Sequence, residues 1–251
     1  MSDVTLRPRG EYGYDGDYRV LPAPVVAGIF TLVCLAVSAF AVIEAVRGST
    51  VAGVVLGCVA AYLVAAGLCF VCFTRTGKFA VWADVLAGLD LRGDERVLDI
   101  GCGRGAVLLA VAKLLPRGRA VGVDLWRADQ TGNHPEATWR NAELEGVRDR
   151  IGLDTGDMTR LPYADGAFDL IVSSLAIHNV PGMPGRLTAV EEAARVLTPG
   201  GRLAIADIGF TRRYAARLHD LGLQDVHRHS LGPRYWWAPW LPTHLVTARK
   251  P

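Results

Sequence analysis

Charged side chains are almost missing from one long stretch of this 251-residue chain. It holds 27 Lys and Arg and 25 Asp and Glu, yet only Glu44 and Arg47 lie between Val25 and Phe73. Hydrophobic residues make up 51% of the sequence and the mean hydropathy is +0.24, which is high for a water-soluble globular protein. The chain therefore divides into an apolar segment and a segment of ordinary globular composition.

Cysteine, proline and net charge are also low, and each low value excludes a class of protein. Five Cys do not make a disulfide scaffold, and 13 Pro with 28 aperiodic Gly exclude collagen-like and low-complexity chains. A net charge of +2 provides no argument for nucleic acid as a partner, so none is expected. Cys69 and Cys72 have CxxC spacing, but no second pair follows, so neither a metal site nor a redox role is expected.

The apolar segment is long enough to cross a membrane twice. Residues 25–45 and 51–73 would each form a helix of roughly 30 Å at about 1.5 Å per residue, which matches the hydrocarbon core of a bilayer. A polar turn, Arg47-Gly48-Ser49-Thr50, lies between them. We predict a transmembrane helical hairpin over residues 25–73, preceded by an N-terminal segment over residues 1–24.

Three other interpretations of the hairpin were compared with this one. A secretory signal peptide requires a short basic N-terminus, whereas the first twenty residues hold four acidic side chains and a second apolar stretch follows. A hairpin buried in a soluble core needs less apolar sequence than these 49 nearly uncharged residues supply. A larger membrane assembly stays open. The transmembrane hairpin is therefore the favoured interpretation.

Basic residues near the helix ends predict the orientation of the hairpin. Three arginines precede the first helix, Arg75 and Lys78 follow the second, and only Arg47 lies in the turn. Because Lys and Arg accumulate on the cytoplasmic side, both termini and residues 74–251 are expected to face the cytoplasm at the cell membrane.

Strands and helices alternate in residues 74–251. Apolar runs predict seven strands, at 96–100, 120–124, 151–155, 168–174, 202–207, 225–230 and 244–249. Helices are predicted near 79–89, 106–115, 135–146, 186–197 and 212–221. No helix separates the last two strands, so the sheet is expected to end in an antiparallel pair. The predicted fold is α/β, a Rossmann-like, doubly wound, mostly parallel seven-stranded sheet.

A glycine-rich loop follows the first of these strands. In Gly101-Cys102-Gly103-Arg104-Gly105, glycine lets the backbone turn sharply and approach a ligand closely. Asp124 ends the second strand, where a carboxylate can accept hydrogen bonds from two ribose hydroxyls. This pattern by itself is ambiguous, because Gly101-x-Gly103-x-x-Ala106 also matches the fingerprint of NAD-dependent oxidoreductases.

Four downstream segments distinguish the two possibilities. They are Gly156-Asp157-Met158, Leu161-Pro162-Tyr163, residues 168–174 and residues 197–203. With the glycine loop, they resemble class I S-adenosylmethionine-dependent methyltransferases of the small-molecule type, over roughly residues 79–251. The resemblance implies S-adenosyl-L-methionine as the cofactor and a small molecule as the methyl acceptor.

The resemblance also implies which residues bind the cofactor. The methionine and ribose portion would be lined by Asp99, Gly101, Cys102, Gly103 and Gly105. The ribose diol and the adenine would be held by Asp124, by Leu125 or Trp126, and by Asp157 and Met158, while Ser173 or Ser174 would lie near the sulfonium. Asp169 starts a strand and is expected to lie far from the cofactor.

His178 and Asn179 are the predicted catalytic residues, since they follow the fourth strand and should lie near the acceptor pocket. Transfer from a sulfonium is an in-line displacement with a good leaving group, so alignment supplies most of the catalysis. A base is needed only if the acceptor is protonated at neutral pH, and His178 is either that base or a positioning hydrogen-bond partner.

Two loops are candidates to cover the acceptor. The first runs over residues 126–134 and is longer than a strand-to-helix connection requires. The second, residues 233–240, holds Trp236, Trp237 and Trp240 and is interpreted as a sheet-edge plug, an acceptor lid or a second membrane contact.

The sequence therefore predicts a membrane-anchored methyltransferase acting on a small-molecule or lipid-like acceptor, with the membrane bound through residues 25–73. One alternative is a membrane-tethered module that binds S-adenosylmethionine without catalysis. A weaker one is an NAD-dependent oxidoreductase, which depends on the glycine loop alone.

Overall fold

The computed structural model describes residues 8–16, 20–127, 130–236, 238 and 240–251. Helices α1 (Ala23–Val46) and α2 (Thr50–Cys72) form an antiparallel hairpin. A Cβ added at Gly53 would lie 3.1 Å from the backbone nitrogen of Ala45, and one added at Gly67 would lie 2.9 Å from the ring of Phe30. Glycine therefore allows the two helices to pack closely at both levels.

Almost the whole surface of the hairpin is left uncovered by the rest of the chain. No residue of α1 is buried, and α2 buries only Ala60 and Ala66. Both helices are long and apolar enough to cross a membrane, by length and composition.

Helix α2 continues directly into the first helix of the α/β region. Residues Phe73–Gly77 form a single π-helical turn, and α3 (Lys78–Ala87) follows without a break, so that Thr50–Ala87 is one helix of 38 residues. The sequence predicted a helix only from Phe79. No proline interrupts residues 73–78, and Gly77 lets the helix pass against the backbone carbonyl of Arg234, where a side chain would collide.

The seven predicted strands are all present in one sheet. They are β1 (Arg96–Ile100), β2 (Arg119–Asp124), β3 (Ile151–Thr155), β4 (Phe168–Ser174), β5 (Leu197–Ile208), β6 (Gln224–Ser230) and β7 (Thr243–Arg249). Their order is β3-β2-β1-β4-β5-β7-β6, and only β7 is antiparallel to both neighbours. The predicted Rossmann-like sheet with an antiparallel end is confirmed.

The helices cover both faces of the sheet. They are α4 (Ala106–Lys113), α5 (Pro135–Glu145), α6 (Gly182–Val196) and α7 (Thr211–Asp220). One apolar cluster joins α3, α4 and α5 to Val97, and the other joins α6 and α7 to Leu98. Successive side chains of β1 thus enter opposite clusters, as strand geometry requires. The strand order reverses between β1 and β4, where an open α/β sheet has a crevice at the carboxyl ends of its strands.

Two elements begin four or more residues before their sequence-based starts. Helix α6 begins at Gly182, four residues before the predicted start, because Pro181 and Pro184 stand before and within its first turn, where proline is tolerated. Strand β5 begins at Leu197 instead of Arg202, because Leu197 already pairs with Phe168 before an irregularity in the ladder.

Candidate active site

A cleft of about 690 Å³ opens at the reversal point between β1 and β4. Most of the predicted site residues line it, namely Asp99, Gly101, Cys102, Gly103, Asp124, Leu125, Asp157, Met158, Ser174, His178 and Asn179. Gly105, Trp126 and Ser173 are not among the lining residues. The tertiary structure therefore brings together residues separated by up to 80 positions in the sequence.

The glycine loop needs glycine for two different reasons. Gly101 and Gly103 have φ of +73° and +50°, the left-handed region that side chains disfavour. A Cβ on Gly101 would collide with the side chain of Ala176, and one on Gly103 would lie 2.7 Å from Oε1 of Gln130. Gly105 is also left-handed, with φ of +86°, and it caps the start of α4, where a Cβ would lie 3.0 Å from the side chains of Leu109 and Thr138.

Asp124 connects the glycine loop to the end of β2. Its Oδ2 accepts a hydrogen bond of 2.9 Å from the backbone N–H of Gly103, and its Oδ1 accepts one of 2.6 Å from that of Trp126. The amide of Asn133 also donates to Oδ1, at 3.4 Å. Charged acceptors make strong hydrogen bonds, so this carboxylate holds the loop in place while it faces the cleft.

Asp99 is a buried carboxyl group that faces the same cleft. Only 1% of its surface is exposed, and its Oδ1 has no hydrogen-bond partner within the described part of the chain. Burial is the main reason that the pKa of Asp99 rises to about 8. An unpaired acceptor beside the glycine loop can bind a cationic ligand group such as the ammonium of S-adenosylmethionine. The residues present therefore fit that cofactor.

The opposite end of the cleft is more open. Asp157 is exposed, and its Oδ1 accepts hydrogen bonds of 2.8 Å from both the N–H and the hydroxyl of Thr159. These bonds lower the pKa of Asp157, which therefore stays ionised. Leu125 and Met158 supply apolar surface nearby. An adenine ring would meet a carboxylate and apolar side chains here, as the resemblance implies.

The two serines at the end of β4 have different surroundings. Ser173 is buried and donates its hydroxyl to the carbonyl of Ile100 at 2.8 Å, which joins β4 to the end of β1. Ser174 lines the cleft, and its Oγ lies 2.5 Å from the hydroxyl of Tyr235 and 3.1 Å from Nε1 of Trp82. Of this pair, Ser174 is the one placed to contact a ligand.

His178 is held by a buried carboxylate that sequence reasoning missed. Its Nδ1 lies 2.6 Å from Oδ1 of Asp207, and its backbone N–H donates to Oδ2 of the same residue at 2.9 Å. Asp207 lies within one residue of the end of an apolar strand, as Asp99 and Asp124 do, and this shared pattern is the signal that would have found it. The backbone N–H of Ile208 and the hydroxyl of Tyr214 also donate to Asp207, at 2.8 and 3.3 Å.

The N-terminal segment returns to the cleft before the hairpin begins. Asp15 accepts hydrogen bonds of 3.0 Å from Gln130 and from Lys78, and all three residues line the cleft. Lys78 is only 5% exposed. Gln130 also accepts from the backbone N–H of Arg104 in the glycine loop, at 3.0 Å. No sequence signal pointed to this contact, because the whole hairpin separates Asp15 from Lys78.

Some predicted features lie outside the described residues, namely Ala128 and Asp129 of the first loop and Trp237 and Pro239 of the second. Over the part of the chain that the structure covers, no group of three or more His, Cys, Asp or Glu side chains could hold a metal ion. The thiol of Cys102 is buried, which raises its pKa, so it acts as an apolar filler below the glycine loop.

The fold and the cleft together define a class I S-adenosylmethionine-dependent methyltransferase domain, and comparison with known proteins agrees. Residues 98–205 match the family model described as "Methyltransferase domain". S-adenosylmethionine is therefore the cofactor of this domain. The NAD-dependent alternative gains no support from these comparisons.

Two curated relatives and one solved structure illustrate the similarity. Methyltransferase GfsG of Streptomyces halstedii is 41% identical over 120 residues, which are 48% of this chain and 40% of that protein. A ubiquinone/menaquinone biosynthesis C-methyltransferase of Dinoroseobacter shibae is 36% identical over 152 residues, 60% of this chain and 55% of that protein. The chain thus spans about half the length of these relatives.

The structure of geranyl diphosphate C-methyltransferase from Streptomyces coelicolor, solved with S-adenosyl-L-homocysteine, superposes with a TM-score of 0.56. It covers 69% of this chain and 79% of its own, at 17% identity, which shows a shared fold.

Proposed function

We propose that this chain is a membrane-anchored methyltransferase whose acceptor is a small-molecule or lipid-like compound carrying a proton that must leave. The observation that carries the proposal is the His178–Asp207 pair, in which buried Asp207 holds His178, a residue that lines the same cleft as the cofactor-side carboxyl groups of Asp99 and Asp124. A buried carboxylate beside an imidazole is the arrangement that orients a general base.

We assign the cofactor and the methyl acceptor to different residues of the cleft. Asp99, Gly101, Asp124 and Asp157 bind and orient the cofactor, and bound S-adenosylmethionine supplies a methyl group on a good leaving group. Because Nδ1 of His178 is engaged by Asp207, Nε2 is the ring nitrogen that takes the acceptor proton.

Asn179 and Ser174 line the same cleft and position the acceptor for in-line attack. Both polar side chains offer hydrogen bonds to an acceptor, which would hold the attacking atom in line with the methyl group.

The lipid-like part of the proposal is supported by the hairpin and by two of the compared proteins. The surface of α1 and α2 is apolar and uncovered, so insertion into a bilayer would satisfy it. The names of the two compared C-methyltransferases refer to quinone biosynthesis and to geranyl diphosphate. An anchored domain would meet such acceptors at the membrane surface, with both termini on the cytoplasmic side.

Labelled methyl transfer from S-adenosylmethionine tests the proposal. Full-length protein in lipid vesicles is incubated with a total extract of the native cells, which is then divided into lipid and aqueous phases. We expect label in the lipid phase and its loss with His178→Gln, whereas Asp169→Asn, at the far end of β4, serves as the matched control. Binding of adenosylhomocysteine with no transfer into either phase would favour the non-catalytic binding module instead.

A further inference from the structure

The tryptophan-rich loop between β6 and β7 contacts the hairpin within α2, ten residues before that helix ends. The ring of Trp240 stacks on that of Tyr62 in α2, with centroids 5.1 Å apart. Both rings are about half exposed, 55% for Trp240 and 47% for Tyr62. Trp240 therefore presents an aromatic face next to a helix that has apolar surface on all sides.

The position of Tyr62 along α2 sets the depth of this contact. Ten residues separate Tyr62 from Cys72, which at 1.5 Å per residue corresponds to about 15 Å of helix. A hydrocarbon core of about 30 Å needs roughly 20 residues, so a core that starts near Thr50 would end near Phe70. Tyr62 and Trp240 would then lie about 12 Å inside that boundary.

The charged tip of the hairpin limits how far from the α/β domain the hydrocarbon core of the membrane can lie. Arg47 and Glu44 form an ion pair of 3.3 Å at the turn, with the Arg47 side chain 71% exposed. If the boundary of the hydrocarbon core on the side of the α/β domain lay at Tyr62, the hydrocarbon core would extend beyond Thr50 and would contain this ion pair. Burying two charges in hydrocarbon is costly, so the tip defines the far boundary.

The loop is also attached firmly to the cleft. Tyr235 is fully buried, its hydroxyl accepts a hydrogen bond of 2.8 Å from Nε1 of Trp82, and its ring packs on Phe73 with centroids 5.3 Å apart. Leu241, next to Trp240, lines the cleft. Leu241 thus places a cleft residue directly beside Trp240.

From this geometry we infer that Trp240 inserts into the acyl region of the cytoplasmic leaflet beside α2, as a second membrane contact. The inference rests on the proposed insertion of the hairpin. The partner is the lipid bilayer itself.

Quenching of tryptophan fluorescence by brominated phospholipids tests this insertion. The full chain is reconstituted in phosphatidylcholine–phosphatidylglycerol vesicles whose acyl chains carry bromine at a shallow or a deeper carbon. We expect acyl-chain bromine to quench the tryptophan emission of the wild type. Trp240→Phe should reduce the quenchable emission about twofold, because a Trp at the membrane interface or deeper is accessible to the bromine. Trp139→Phe, on α5 and stacked against Arg148 at 4.7 Å, is the matched control and should leave it unchanged.

Two parallel measurements separate failure of this inference from failure of the proposed function. Retention on the vesicles after alkaline carbonate washing reports hairpin insertion, and adenosylhomocysteine binding reports an intact domain. If both are retained and Trp240→Phe leaves the quenchable emission at the wild-type level, the loop does not insert and the inference is wrong. If the wild type washes off the vesicles, the anchor fails and the inference fails with it.

Discussion

His178 and Asp207 are joined by a contact of 2.6 Å between Nδ1 and Oδ1, at the end of β5. Asp207 is fully buried, and it also accepts hydrogen bonds from the backbone N–H groups of His178 and Ile208. These bonds hold the imidazole in one orientation at the edge of the cleft. The pair therefore has the geometry of a base and its orienting carboxylate, on a fold where alignment supplies much of the catalysis.

Replacing Asp207 with Asn tests the orienting role. The amide keeps the shape of the carboxylate but removes its charge, so we expect kcat to fall by about 10²-fold or more, the scale of a general base. Adenosylhomocysteine affinity should stay at the wild-type value. Tyr214→Phe, which removes only the outer hydrogen bond of 3.3 Å, is the control and should have a small effect. Wild-type kcat in Asp207→Asn would remove the base from the mechanism.

Asp124→Ala tests the anchor of the glycine loop. Loss of the bonds to Gly103 and Trp126 leaves two backbone donors without their charged acceptor, so cofactor affinity should fall by about ten- to a hundredfold. Isothermal titration with adenosylhomocysteine measures the change. The control is Asp169→Ala, which breaks a partly exposed pair with Arg96 at the opposite end of the sheet and should leave affinity unchanged. Equal affinities for the two variants would contradict the role given to Asp124.

Gly101→Ala and Gly200→Ala separate collision from backbone strain. Both glycines have φ near +75°, but a Cβ on Gly101 would meet Ala176, whereas one on Gly200 would meet nothing within 4 Å. Gly200→Ala should cost about 1–2 kcal/mol of stability, the price of a left-handed alanine. Gly101→Ala should lower the melting temperature further and abolish adenosylhomocysteine binding. Similar melting temperatures and intact binding in both variants would show that the loop has room for a side chain.

The buried carboxyl of Asp99 predicts a pH-dependent stability. Its folded pKa of about 8 lies above the ordinary value near 4, so between these pH values the folded chain keeps a proton that the unfolded chain has released. Stability should therefore decrease as pH rises through this window, and Asp99→Asn should remove that part of the decrease. Melting curves from about pH 5.5 to pH 8, wild type against variant, measure the difference. Parallel curves would mean that Asp99 is ionised in the fold.

Local sequence signals located most of the cofactor side of the site. β1, β3 and β4 begin and end at the predicted residues. β1 and β4 are almost wholly buried, and a buried parallel strand carries a nearly continuous apolar run, whereas the edge strand β3 ends in exposed residues. The glycine loop and Asp124 follow such strands directly, so their place at the edge of the sheet could be predicted. Ser173 and Ser174 could not be separated in this way, since only the neighbouring Ile100 carbonyl and Tyr235 hydroxyl give them different surroundings.

The scarcity of charge over residues 25–73 by itself determined an apolar helical hairpin, and the alternation of apolar runs determined the sheet, because burial of apolar surface dictates both patterns. The tertiary structure decided what these patterns cannot encode. It joined α2 to α3 as one helix, paired His178 with Asp207, brought Asp15 back to Lys78, and placed Trp240 on Tyr62. The last three of these contacts join segments that are distant in sequence, so only the packed chain brings them together.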